Sequence, residues 1–182
     1  SHGLFLYAPM AEFVTSIARK GLWGRRWVRD LMAKQLLDGL IALGFEGADY
    51  IRLTDLQAAA VTWVAQFQLF NRMAEAHPSR VRMLESGDLI ADPIRATSAM
   101  RKWLGLAGEV PGFEQHVAAR CGFDSKTGAA FGSGQRTTER DRGLSLYGDE
   151  IEKVVVWATD VADRAGVSLV PAALLMGVRP DS

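Results

Sequence analysis

The sequence is short of thiols and imidazoles. Its one cysteine is Cys121, and its three histidines are His2, His77 and His116. A single thiol closes no internal disulfide, which fits a reduced, cytoplasmic setting. A lone cysteine is expected to behave as a small core residue. Scattered histidines with no nearby cysteine give no metal-ligand spacing, so no metal site is expected. An excess of either charge is also missing. Lys plus Arg and Asp plus Glu number 21 each, which argues against a dedicated nucleic-acid binder, for which a basic domain is expected. No apolar run approaches the roughly 18 residues that span a bilayer, and the start shows no signal-peptide pattern. Neither nucleic acid nor membrane is therefore expected as a partner. The chain opens on Ser1-His2-Gly3 instead of Met, so it is expected to be a fragment or to carry a short foreign lead. There is no G-x-S-x-G, no H-E-x-x-H, no dinucleotide glycine pattern and no G-x-x-x-x-G-K-[ST], which removes the common hydrolase, zinc-protease, Rossmann and P-loop signatures.

What is present suffices for a core. Hydrophobic residues make up 48% of the 182 and charged residues 23%, as in an ordinary soluble single domain over 1–182. Residues 4–8 (LFLYA) form an apolar run closed by Pro9 and read as a buried strand, central in a parallel sheet. Helices are expected over 11–20 and 25–43, with Gly21 and Gly24 bracketing the turn between them and Gly44 as the second stop. Residues 45–53 read as a loop. Thr54 and Gln57 then fit a capping box at the head of a helix that His77-Pro78 ends. Later come a short helix over 113–120, a Gly-, Ser- and Thr-bearing loop over 122–134, a charged, partly helical segment over 136–142 and a helix over 149–165. A short apolar helix or turn over 170–177 closes the chain.

The stretch over 81–106 has the clearest internal order. Val81, Met83 and Leu84 suit a short buried strand, and Ser86, Gly87 and Asp88 break it. Asp92 can accept from first-turn N–H groups, and Pro93 suits the first helical position, which needs no N–H. Ala96, Ala99, Met100, Trp103 and Leu104 recur at helical spacing, with Trp103 as the core anchor, and Gly105 can take the left-handed conformation of a helix stop. With strands at both ends of a long helical stretch, the expected class is α/β, helix-rich with a short parallel sheet.

Asp88-Leu89, Asp92-Pro93 and the ending Trp103-Leu104-Gly105-Leu106 resemble a segment of the sulfotransferase family. There a strand and a Glu-Asp-Leu-x-x-Asp-Pro turn lead into a helix ending Phe-Leu-Gly-Leu. A second block, Asp124-Ser125-Lys126 followed by a charged helix and Trp157-Ala158, is similar to the C-terminal end of bacterial relatives, with Asp124 in place of their His. The resemblance implies the later part of a P-loop-type sulfotransferase domain, incomplete at its N-terminus.

The resemblance also implies a donor, 3′-phosphoadenosine 5′-phosphosulfate. The family binds its 3′-phosphate with an Arg at the end of a strand and a Ser on the following helix. Here those positions fall on Tyr7 and on Thr15 or Ser16. A phenol lacks the guanidinium's charge. Ser125 and Lys126 would reach phosphate across the Gly-rich loop. The family's phosphosulfate loop, Gly-x-x-Arg-Ser-Gly-Thr, is missing, and no catalytic base is assignable. The run Arg19, Lys20, Arg25, Arg26 and Arg29 either grips an anion or is a solvated helix face whose Arg stems cover Trp23 and Trp27. The region around Trp63 and Phe67 would lie near an acceptor pocket. Two readings follow. One is sulfuryl transfer from the donor to a hydroxyl or amine acceptor, provided the intact protein carries the missing loop. The other is a non-catalytic helical binding or scaffold protein that kept the framework and lost the donor site.

Overall fold

The first strand, β1 (Gly3–Tyr7), pairs in parallel with β2 (Val81–Glu85), Leu4 lying opposite Arg82 and Tyr7 opposite Glu85. Four helices lie between them in sequence: α1 (Met10–Arg19), α2 (Gly21–Leu37), α3 (Gly47–Arg52) and α4 (Asp55–Ala76). After β2 come α5 (Ser86–Ala91), α6 (Pro93–Trp103), α7 (Phe113–Cys121) and α8 (Ser133–Arg164). This computed structural model describes residues 1–106, 108–121 and 133–177. It is 68% helical with one short parallel sheet, the helix-rich α/β class expected. The described residues fall into two compact units, one drawn from 1–8, 74–139 and 172–182, the other from 9–73 and 140–171.

In the first unit β2 is the inner strand. β1 lies on one side of it. On the other, Met83 N–H donates to the Ala173 carbonyl at 2.8 Å and Leu175 N–H to the Met83 carbonyl at 2.8 Å, a parallel bridge. Leu174 makes this bridge inside a run of bends, so of the helix or turn that the sequence suggested over 170–177 the segment is the bent, non-helical one. The reason is that β2 has a second edge whose polar backbone needs partners. It also makes β2, and not β1, the central strand. Met83 and Leu84 are buried, while Leu6 of β1 is 51% exposed. Leu84, Ala96 and Met176 form a small core joined by Leu4, Leu89, Ala99, Met100 and Leu175.

Both caps of α6 are as the sequence implies. The Asp92 carboxylate accepts from Arg95 N–H at 2.9 Å, with Pro93 at the first helical position. At the far end Gly105 takes φ +69°. Gly105 N–H donates to Lys102 and Leu106 N–H to Arg101, the paired bonds of a Schellman stop. Three details differ. Residues 86–88 open the one-and-a-half-turn helix α5 instead of an open turn. Trp103 is only half-buried, its indole N–H reaching the Ser79 carbonyl at 3.4 Å and its ring meeting His2 edge-on. It is a rim residue, because the buried stripe of α6 narrows to Ala96. Cys121, expected in the core, is exposed on the last turn of α7.

In the second unit α1 and α2 meet at a sharp corner. Gly21 turns it at φ +58°. Gly24 does not bracket a turn: it lies inside α2, where a Cβ would stand 2.7 Å from the Ile17 carbonyl oxygen. The buried stripe of α2 is Gly24, Val28, Met32 and Gln35. The helix stops at Leu37, not near Leu43, because Gly39 at φ +67° accommodates a Schellman stop, with Gly39 N–H on Leu36 and Leu40 N–H on Gln35. Part of the expected loop over 45–53 is α3, and Glu46 N–H donates to the Asp49 carboxylate at its start. Phe45 stacks on Trp157 at 6.1 Å and meets Tyr50 edge-on at 5.5 Å, which ties that segment to α8.

The capping box of α4 is formed: Gln57 N–H donates to Thr54 Oγ1 and Thr54 N–H to the Gln57 side-chain carbonyl. Buried Asn71 donates to the carbonyls of Ser168 and Val170, holding the segment after α8. α8 begins at Ser133 instead of Asp149 and takes in the charged segment. No proline interrupts that stretch, and its two interior glycines are tolerated within a long helix.

Candidate functional site

The residues proposed from sequence for donor binding fall in three places. Tyr7 ends β1 in the first unit. Thr15 and Ser16 are neighbours on α1 in the second. Ser125 and Lys126 lie outside the described residues.

Thr15 is 3% exposed and sits mid-helix. Its hydroxyl donates to the Ala11 carbonyl at 2.6 Å, a back-bond typical of hydroxyls within helices. Its methyl faces Gly143 of α8 so closely that a Cβ there would stand 2.5 Å from Thr15 Cγ2. The side chain is thereby committed to helix packing. Ser16, one residue on, is half-buried. Of the two hydroxyls that the sequence left open, Ser16 is the one nearer solvent.

Tyr7 is half-buried opposite Glu85. Burial pushes its phenol up to about 12, with further contributions from the Glu85 and Asp88 carboxylates. The phenol therefore stays neutral at physiological pH and can donate a hydrogen bond. Both carboxylates raise the phenol further, and their own charge is of the sign that repels a phosphate. Tyr7, which the resemblance sets at the position of an Arg, is a neutral donor beside two acids.

The basic run is divided. Arg29 Nε donates to Asp55 at 2.9 Å, and its terminal nitrogen donates to the Leu53 carbonyl. Arg25 lies 3.7 Å from the other Asp55 oxygen. These two guanidinium groups tie α2 to the head of α4. Arg19, Lys20 and Arg26 are exposed, and the Lys20 ammonium sits 6.0 Å from the Trp23 ring centroid. Asp55 was legible only as a first-turn helix acid. Its role as a shared counter-ion depends on a contact spanning 26 residues, for which no local pattern exists.

Trp63 and Phe67, expected near an acceptor pocket, stack on each other at 4.5 Å on α4 and are 9% and 2% exposed. They belong to the interior of their unit. Two shallow cavities of about 380 and 520 Å³ lie instead in the first unit and share Arg101. The Arg101 guanidinium donates to the Gly108 carbonyl at 2.6 Å and covers the Phe113 ring at 4.7 Å. Sequence reasoning did not single out Arg101, which reads there as one more cation in the last turn of a helix. Among the described residues no group of three or more His, Cys, Asp or Glu is placed to hold a metal ion. No helix among them is long and apolar enough to cross a membrane.

Comparison with protein-family models, with curated proteins and with solved structures finds no match to this chain.

Proposed function

We propose that the chain is the framework portion of a sulfotransferase-type α/β protein. In the intact protein the activity would be transfer of a sulfuryl group from 3′-phosphoadenosine 5′-phosphosulfate to a hydroxyl or amine acceptor. One observation carries this reading: β1 and β2 pair in parallel, and β2 feeds the Asp92-Pro93-capped helix that ends at Gly105. The resemblance required that arrangement of the three segments. Helical or unpaired strands would have ended it.

In-line transfer of this kind depends on positioning and on stabilising charge at the transferred group. Ser16, Ser125 and Lys126 are the side chains this reading assigns to donor phosphates. The phosphosulfate loop has no counterpart in these 182 residues, so transfer is expected only where the protein supplies one.

The second reading is a binding or scaffold protein that keeps the framework without donor chemistry. It is favoured by Tyr7, a neutral phenol beside Glu85 and Asp88 where a guanidinium is needed, and by the commitment of the Thr15 hydroxyl to Ala11. Calorimetry with 3′-phosphoadenosine 5′-phosphate separates the two for this chain. Saturable binding that is lost in a Lys126→Ala variant supports a donor site. No heat from protein whose circular dichroism is that of the folded chain refutes an autonomous donor site and leaves the scaffold reading.

A further inference from the structure

Arg101 and Lys102 follow Ser98 by three and four positions on α6, so the three side chains share one face of the helix near its end. With Gly105, Leu106 and Gly108 they line the cavity of about 380 Å³. Gly105 and Gly108, at φ +69° and +126°, carry no side chain to fill it. The Arg101 guanidinium is held by the Gly108 carbonyl at 2.6 Å and by the Phe113 ring at 4.7 Å. The carbonyl takes one N–H donor and the ring face takes none, so most of the fork is left over. No carboxylate among the described residues lies within ion-pair distance of Arg101 or Lys102. Glu109 and Glu114 line the neighbouring cavity that Arg101 shares, and among the described residues no acid lines this one.

We propose that this cavity binds the phosphate group of a small organic phosphate ester. Two cations without counter-ions beside a hydroxyl supply both charge and directed donors for phosphate oxygens. A guanidinium already fixed by a carbonyl and a ring loses little freedom when a ligand arrives. The last carbonyls of a helix oppose an anion. Here those of Arg101 and Lys102 already accept from Leu106 and Gly105 N–H, which blunts that opposition. Leu106, 57% exposed on the cavity wall, offers apolar surface to the organic part of the ester. The volume falls at the small end of ligand sites, which run from about 300 to 1,000 Å³. Ser98 and Lys102 are open to solvent, so binding in the range of about 1 mM is expected. None of the residues assigned to the sulfuryl donor lines this cavity, so the proposal is independent of the sulfotransferase reading.

The test is a titration of the isotope-labelled full chain with phenyl phosphate, followed through its amide chemical shifts. Saturable shifts centred on residues 98–106 are expected, and none with phenol, which has the ring without the charge. Arg101→Met and Lys102→Met should each weaken binding by about tenfold. Ser98→Glu sets a carboxylate one turn from both cations and should abolish binding. Its pairing with Lys102 four residues on supports the helix, so this variant stays folded. The rest of the amide spectrum reports that fold directly. Absence of saturable shifts in folded protein up to about 20 mM ester overturns the proposal. It is equally overturned if phenol binds as well as its phosphate, or if binding survives Ser98→Glu and both methionine variants.

Discussion

Gly143 of α8 lies against Thr15 of α1, where a Cβ on residue 143 would stand 2.5 Å from Thr15 Cγ2 and 2.9 Å from Arg19 Cδ. Glycine inside a helix costs about 1 kcal/mol relative to alanine, so Gly143→Ala would stabilise an exposed helix. Here the methyl meets a stiff, buried β-branched side chain. Overpacking of this kind costs about 1–3 kcal/mol, so Gly143→Ala is expected to lower stability in urea unfolding. Thr15→Ser removes the obstructing methyl and should recover part of the loss in the double variant. If Gly143→Ala costs the same with and without Thr15→Ser, the two helices do not meet there.

Asp55 is the counter-ion of both Arg29 and Arg25, and each side chain of the Arg29–Asp55 pair is about one-third exposed, at 32%. Solvent weakens such a pair, so a coupling of about 0.5–1 kcal/mol is expected from a double-mutant cycle of Asp55→Asn with Arg29→Met. The coupling should shrink in high salt. An additive cycle at low salt would mean that the Leu53 carbonyl, and not Asp55, holds Arg29.

Asp92 is a helix cap by geometry. Asp92→Ala should cost about 1 kcal/mol of stability, while Asp92→Asn, which keeps a side-chain acceptor, should cost much less. The measurement is the shift in denaturation midpoint of the two variants. If Asn and Ala are equally damaging, the charge matters more than the hydrogen bond to Arg95.

Tyr7 gives a pH dependence of defined sign. Its pKa is raised from 10.0 in an exposed phenol to about 12 in the folded chain. Above the lower value the unfolded chain loses the proton first, so the folded chain binds more protons and stability falls with rising pH. The Tyr7 contribution is fully present below pH about 10 and is lost as pH climbs towards about 12. Tyr7→Phe should flatten that part of the profile. Glu85→Gln and Asp88→Asn should each move the phenol, followed by ultraviolet absorbance, back towards its ordinary value. An unchanged titration in both carboxamide variants would leave burial as the sole cause.

Much of the framework was legible because it is encoded locally. The strand over 81–85, the Asp92-Pro93 start, the Gly105 stop and the Thr54–Gln57 box each depend on residues within a few positions of one another. Gly39 carried the same kind of signal, and reading past it extended α2 too far. The candidate site was much less legible. Sequence could nominate Thr15 and Ser16 as equals, yet only the approach of Gly143 distinguishes a packed threonine from a more open serine. It could count five cations near the start of α2, yet only folding sets Asp55 beside Arg25 and Arg29.

The 81–106 unit marks the boundary between the two kinds of information. Hydrophobic spacing and cap chemistry by themselves determined that it would be a strand followed by a capped helix, because those preferences act over one or two turns of chain. Tertiary structure alone decided that β2 is the inner strand, with residues 173–175 on its second edge. It also turned Trp103 to the rim and placed Tyr7 between burial and two carboxylates. Those outcomes depend on which distant segments satisfy a strand's backbone and which charges share a low-dielectric neighbourhood, and neither is written in the spacing of nearby residues.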